Sequence, residues 1–92
     1  MRAPVLAYPQ FTSDEPFILD TDWSKDNNAI GATLSQVQDG KERVILYLAK
    51  KLSKAQANYP ATKGELCAVL HFVKALRYYL QYRHFILRTD HQ

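Results

Sequence analysis

A lone cysteine, Cys67, leaves this chain of 92 residues without a partner for an internal disulfide, so no covalent framework supports the fold and a reducing compartment is expected. Long apolar runs are also missing. The longest falls well short of membrane length, and the start, Met1 to Pro9, is too short and too broken by proline to serve as a signal peptide. Charge of either sign is modest: the net value of +3 and pI of about 9.1 tilt the protein mildly toward polyanions without forming a nucleic-acid signature. Length excludes a large second lobe, since a single domain of this size buries only about 60–65% of its unfolded surface. No low-complexity segment occurs. Together these absences describe a soluble intracellular protein of one domain.

What is present is a near-repeat. Phe17-Ile18-Leu19-Asp20-Thr21-Asp22 returns as Phe85-Ile86-Leu87-Arg88-Thr89-Asp90, with one position changed. Each copy is short, apolar and rich in strand-forming residues, as expected of a buried strand, and each ends in Asp. If the copies lie side by side and parallel, about 4.8 Å apart, Asp22 and Asp90 share a pleat phase and a sheet edge and can share a cation. Asp20 shares the face of Asp22, and its counterpart in the second copy is Arg88, so an Asp20–Arg88 pair is expected.

The rest of the chain fits around that pair. Residues 1 to 16 hold Pro4, Pro9 and Pro16 with the cluster Thr12-Ser13-Asp14-Glu15, which reads as a lead-in. After the first strand, Ile30, Ala32 and Leu34 alternate with Gly31, Thr33 and Ser35 in a second strand from Ala29 to Val37. Asp39-Gly40 then marks a hairpin, and Arg43 to Ala49 returns antiparallel as a third strand. Ser53 reads as the N-cap of a short helical turn through Lys54, Ala55, Gln56 and Ala57, stopped at Pro60. From Ala61 the period becomes helical: Leu66, Val69, Leu70, Val73, Leu76 and Leu80 recur over several turns. A helix between two like strands makes a right-handed crossover that joins them in parallel. The expected fold is a mixed α/β sheet with three antiparallel strands, one parallel strand and a main crossover helix.

Glu65, near the start of that helix, is a third carboxylate able to reach the edge that carries Asp22 and Asp90. Two Asp and one Glu so placed suggest a hard-metal, phosphate-cutting site, against the plainer reading of solvated strand ends. Cys67 and His71 have a spacing that suits zinc, but no second ligand pair lies nearby and His84 and His91 are scattered, so core packing is the reading adopted for them. Lys50, Lys51, Lys54 and Lys63 surround the approach to the helix, where they either grip phosphates or simply carry loop charge. Tyr78, Tyr79 and Tyr82 are taken as packing residues.

Taken in order, Pro4 to Pro9, Phe17 to Asp22, Ile30-Gly31-Ala32 with Leu34-Ser35-Gln36, Leu52 to Ala55 with Asn58-Tyr59, Glu65-Leu66 with Ala68-Val69, and Arg88-Thr89-Asp90-His91 resemble the ribonuclease H domain of reverse transcriptases from gypsy-type LTR retrotransposons. The resemblance covers nearly the whole chain. It implies the ribonuclease H-like fold, cleavage of the RNA strand of an RNA/DNA hybrid by a pair of Mg²⁺ ions (Mn²⁺ as a substitute), and Asp22, Glu65 and Asp90 as metal-binding catalytic carboxylates. Lys50, Lys51, Lys54, Lys63, Trp23 and His91 become candidate nucleic-acid contacts. Residues 1–15 would lead in from a preceding reverse transcriptase region and residues 16–92 would form the N-terminal two-thirds of the domain, within a polyprotein found in the cytoplasm, in virus-like particles, or in the nucleus.

Three departures stand out. Trp23 and Leu48 occupy positions that are usually small in the family, and Trp23 is read as either crowding the site or stacking on substrate. The family's fifth strand, C-terminal helix and fourth acidic ligand would fall beyond Gln92. The chain alone is therefore expected to bind Mg²⁺ weakly and to cleave slowly or not at all, and to self-associate through the open strand at residues 84–90. Two other readings remain: a non-catalytic ribonuclease H-like module of the polyprotein, and a small zinc domain built on Cys67 and His71.

Overall fold

The computed structural model describes residues 6–54 and 60–89; the turn expected after Ser53, at residues 55–57, and both Asp90 and His91 lie outside the described residues. Four strands, β1 (Phe17–Ser24), β2 (Ala29–Gln38), β3 (Lys41–Lys51) and β4 (Phe85–Thr89), form one sheet in the order β3-β2-β1-β4. Helices α1 (Ala61–Ala75) and α2 (Arg77–Leu80) connect β3 to β4. The first three strands are antiparallel and β4 runs parallel to β1, which is the mixed α/β arrangement expected from the sequence. Among the described residues no helix is long and apolar enough to cross a membrane.

The two repeat copies pair with each other residue for residue, Phe17 beside Phe85 through Thr21 beside Thr89. Their surroundings differ. In β1, Ile18 and Leu19 are 5% and 0% exposed, whereas Ile86 and Leu87 in β4 are 46% and 44% exposed. The cause is position in the sheet: β1 is flanked by β2 and β4 and its Leu19 lies under α1, whereas β4 is the edge strand.

The β2–β3 hairpin turns on Asp39 and Gly40, with φ of 56° and 78°, the left-handed pair that a two-residue type I′ turn requires. Further along, the register slips between Leu34 and Ser35, leaving Ile45 as an extra, fully buried residue of β3. The β1–β2 turn is fastened by Asn28, also left-handed at φ 49°; its Nδ2 donates to the Leu52 carbonyl at 2.9 Å and its carbonyl accepts from the Leu52 amide at 2.8 Å.

The lead-in is tied to the sheet by two buried glutamines. Gln36 Oε1 accepts from the Gln10 amide at 2.9 Å, and its Nε2 donates to the carbonyls of Gln10 and Glu15. Gln38 Nε2 donates to the Tyr8 carbonyl at 2.8 Å. Phe11 completes the join, edge-on to Phe17, stacked on Tyr79 and covered by the Arg83 guanidinium 4.7 Å from its ring centre. Tyr79 packs as expected, but Tyr78, off the sheet-facing stripe of the helices, and Tyr82, in the turn that follows α2, are largely exposed.

That stripe differs from the one the leucine spacing indicates. Gly64, Ala68, Phe72, Leu76 and Leu80, four residues apart, are buried, while Leu66 and Leu70 are 55% and 58% exposed. Apolar residues cover more than one side of α1, and the small side is the one that docks. A Cβ on Gly64 would sit 2.5 Å from Cε2 of Trp23, so only glycine lets the helix approach this close to the indole. The helix breaks at Leu76, with φ −101° and ψ 18°, and resumes as α2. On the exposed side, Lys63, Leu66, Cys67, Leu70, His71 and Lys74 line a shallow groove. His71 lies edge-on to Phe72, and partial burial, aided by the charge of Lys50, holds its imidazole below the ordinary pKa of 6.5.

Three outcomes follow from this packing. Leu19→Ala should cost about 2–5 kcal/mol in urea unfolding, and Leu87→Ala less than half of that, although the two residues occupy equivalent places in the repeat. Gly64→Ala should destabilise by about 1–3 kcal/mol through overpacking, opposite in sign to the gain of about 1 kcal/mol that helix propensity alone offers; in a Trp23→Ala background the cost should largely vanish. Because the folded protein disfavours the His71 imidazolium, the unfolded chain takes up the proton first. Stability should therefore decline as pH falls through 6.5, with a flatter profile in His71→Gln and a smaller decline in Lys50→Met, read from unfolding midpoints between about pH 8 and 5.

Candidate functional site

Alternation along β1 separates two chemistries. Phe17, Leu19, Thr21 and Trp23 face α1, whereas Ile18, Asp20 and Asp22 face the other side of the sheet. There the strands leave an open cleft of about 420 Å³ bordered by Asp20, Asp22, Gly31, Thr33, Tyr47 and Arg88. Gly31 is the direct cross-strand partner of Asp22, and a Cβ at this position would come within 2.9 Å of the Tyr47 hydroxyl. Glycine here lets the phenol lie over the strand beside Asp22.

The two β1 carboxylates in the cleft are in different electrical states. Asp20 receives Nε and Nη2 of Arg88 at 2.7 and 2.8 Å, as the sequence reading anticipates. The same guanidinium reaches Glu42 on β3 at 2.9 and 3.3 Å. Hydrogen bonds from Asp20 first, and Glu42 second, raise the Arg88 pKa further above its already high value. Asp22, by contrast, is exposed, and among the described residues its carboxylate takes part in no hydrogen bond or ion pair.

Asp22 does not end its strand, because β1 continues through Trp23 and Ser24, which pair with Ile30 and Ala29. Glu65 is half-buried, the fifth residue of α1, and directly follows Gly64, whose contact with Trp23 brings the start of the helix against the same end of β1. The described pairing of β1 with β4 stops at Thr21 and Thr89, one residue short of Asp22 and Asp90. Among the described residues no group of three His, Cys, Asp or Glu is placed to hold a metal ion.

Trp23 does not stand in the cleft. Its indole packs under α1 on the opposite face from Asp22, which fits neither crowding of the site nor stacking on a substrate there. Lys50 and Lys51 are the last residues of β3 and, like Lys54 and Lys63, are exposed; Lys50 acts on His71 and so belongs to the α1 side. Cys67 is only partly buried, and its pairing with His71 gains no third ligand among the described residues. Sequence reasoning overlooked Tyr47, Gly31 and Glu42. Glu42 lies 46 residues from Arg88 and carries no local signal of the contact, whereas the opposition of Gly31 and Asp22 could have been read by counting back from the Asp39-Gly40 turn and across the first hairpin.

The chain was compared with known proteins. Residues 12–92 match the family model of the RNase H-like domain found in reverse transcriptase. The chain is 43% identical over 89 residues to the retrovirus-related Pol polyprotein from transposon opus of Drosophila melanogaster, with 96% of the chain aligned to 8% of that polyprotein. It is 37% identical over 92 residues to the Pol polyprotein from transposon 297 of the same organism, all of the chain aligning with 8% of it. To the transposon Tf2-3 polyprotein of Schizosaccharomyces pombe it is also 37% identical, 97% of the chain aligning with 7%. The chain thus spans less than a tenth of each relative. With its paired repeat strands, crossover helix and matching family model, the chain belongs to the RNase H-like domains found in reverse transcriptase.

Proposed function

We propose that the chain is the ribonuclease H domain of a gypsy-type LTR retrotransposon reverse transcriptase and contributes hydrolysis of the RNA strand of an RNA/DNA hybrid. The observation that carries this reading is the carboxylate of Asp22 in an open cleft, without a partner among the described residues, while its neighbour Asp20 is held by Arg88. Among the described residues the cleft side chains offer oxygen donors and no thiol or imidazole, a set suited to Mg²⁺ or Mn²⁺ rather than zinc. Asp22, Glu65 and Asp90 would hold the ions. In support, the β1–β4 register runs in parallel up to Thr21 and Thr89, and the residue after Gly64, which meets Trp23 at this end of β1, is Glu65. Held there, the ions would supply activation of the attacking water and charge stabilisation at the leaving 3′ oxygen.

The chain's own residues do the rest. Openness of the cleft admits a duplex, and Tyr47 borders the place where a sugar-phosphate backbone would pass. Lys51, at the end of β3, and Lys54 are exposed near this edge of the sheet, where they would add phosphate contacts without base preference. The uncovered edge of β4 is where a further strand, from the same polyprotein or from a second copy, would add.

In the chain, and in a reverse transcriptase carrying it, Asp22→Asn, Glu65→Gln and Asp90→Asn should each bring Mg²⁺-dependent cleavage of a labelled hybrid to background while the hybrid still binds. Asp26→Asn, on the neighbouring turn, should leave cleavage unchanged. Cleavage that persists in Asp22→Asn would remove the assignment. Hybrid binding with no cleavage in either setting would instead favour the non-catalytic module.

A further inference from the structure

Asp20 and Asp22 stand two residues apart on one face of β1, and by chemistry alone a divalent cation entering the cleft has no reason to prefer either. Arg88 makes them unequal. Its Nε and Nη2 donate to Oδ1 and Oδ2 of Asp20, and its Nη1 and Nη2 donate to Oε1 and Oε2 of Glu42, so one guanidinium engages every oxygen of two carboxylates. The three side chains come from three strands: Asp20 on β1, Glu42 on β3, and Arg88 on the edge strand β4, where it is the Cα partner of Asp20. The trio carries a net charge of −1; without the arginine it would carry −2, next to the −1 of Asp22. A lysine could not reproduce the arrangement, because a single ammonium lacks the planar fork that serves two carboxylates at once.

We propose that Arg88 is the specificity-determining residue of the cleft, engaging Asp20 and Glu42 so that a divalent cation is directed to Asp22. This rests on the reading of Asp22 as a metal ligand. The fork excludes a competing site between β1 and β3, where an ion held by Asp20 and Glu42 would be displaced from the strand end that carries Asp22. Arg88 acts through the carboxylates it holds and touches neither substrate nor metal itself. It is a positioning residue rather than a catalytic one.

Mn²⁺ alone is the probe, titrated into the chain and followed by the loss of the free-ion electron paramagnetic resonance signal, with thermal unfolding measured in parallel. Arg88→Met should gain a Mn²⁺ site or bind about tenfold more tightly, since two carboxylates held by one guanidinium are replaced by bare negative charge beside Asp22. The gain should survive Asp22→Asn and disappear in the triple variant Asp20→Asn, Glu42→Gln, Arg88→Met. Arg88→Lys should show a smaller gain and serves as the folded reference if Arg88→Met unfolds. Asp20→Asn combined with Arg88→Met, which is neutral in net charge, should stay within about threefold of the unaltered chain. A purely structural clamp predicts loss of stability with no change in Mn²⁺ binding. Number and affinity of ions unchanged in both Arg88→Met and Arg88→Lys would overturn the proposal. If those variants gain a site but Asp22→Asn does not weaken binding to the unaltered chain, the shielding of Asp20 and Glu42 stands and the assignment of Asp22 falls.

Discussion

The in-register parallel pairing of β1 with β4 is the constraint on which the remaining structure depends. Identical Phe-Ile-Leu segments meet side by side, so their side chains stack like with like on both faces of the sheet. Parallel neighbours need a long crossover, and α1 with α2 supplies it while covering the face of β1 that holds Phe17 and Leu19. One consequence is energetic: burying Phe17 and Leu19 contributes about 1.5–3 kcal/mol each, and the helix is positioned to deliver that burial. The other is chemical, because the same register sets Arg88 beside Asp20 on the cleft side of the sheet.

Two glycines then shape the two faces. On the helix side Gly64 admits the Trp23 indole, and on the cleft side Gly31 admits the Tyr47 phenol. Each glycine is opposed to an aromatic whose bulk would otherwise hold the partner element away. The first contact sets the start of α1, at the residue before Glu65, against the far end of β1; the second leaves a phenol beside Asp22. Trp23, a departure from the usual small residue of the family, is thereby accommodated without loss of the cleft, since the indole and the carboxylate of adjacent residues project to opposite sides.

Charge is distributed along the same division. Lys50, Lys63, Lys74 and His71 lie toward α1, while Asp20, Asp22, Glu42 and Arg88 lie on the cleft side. The modest net charge of +3 therefore conceals a local segregation. Arg88 tempers the acidic side by holding two of its three carboxylates, at an exposed position where the value of the fork lies in its geometry more than in its contribution to stability.

By itself the sequence determined the elements whose signals are local. The Asp39-Gly40 turn, the alternating strands on either side of it, the helix from Ala61 and the parallel relation of the two repeat copies all depend on neighbours within a few residues or on an internal identity that can be read directly. The pair Asp20–Arg88 was legible for the same reason, as a mismatch within that identity. Tertiary structure alone decided what depends on distant partners. Leu66 and Leu70 carry a valid helical period, yet they are exposed because the smaller face of α1, through Gly64 and Ala68, fits the sheet more closely. Leu19 and Leu87 occupy the same place in the same tripeptide and differ in burial because only one of them lies under the helix. Glu42 joins Arg88 across two intervening strands, and Gln36 holds residues 10 to 15 against the sheet, contacts that no spacing in the chain encodes. Local pattern specifies which elements form; close approach between surfaces far apart in sequence selects which side of each element is buried and which is left to do chemistry.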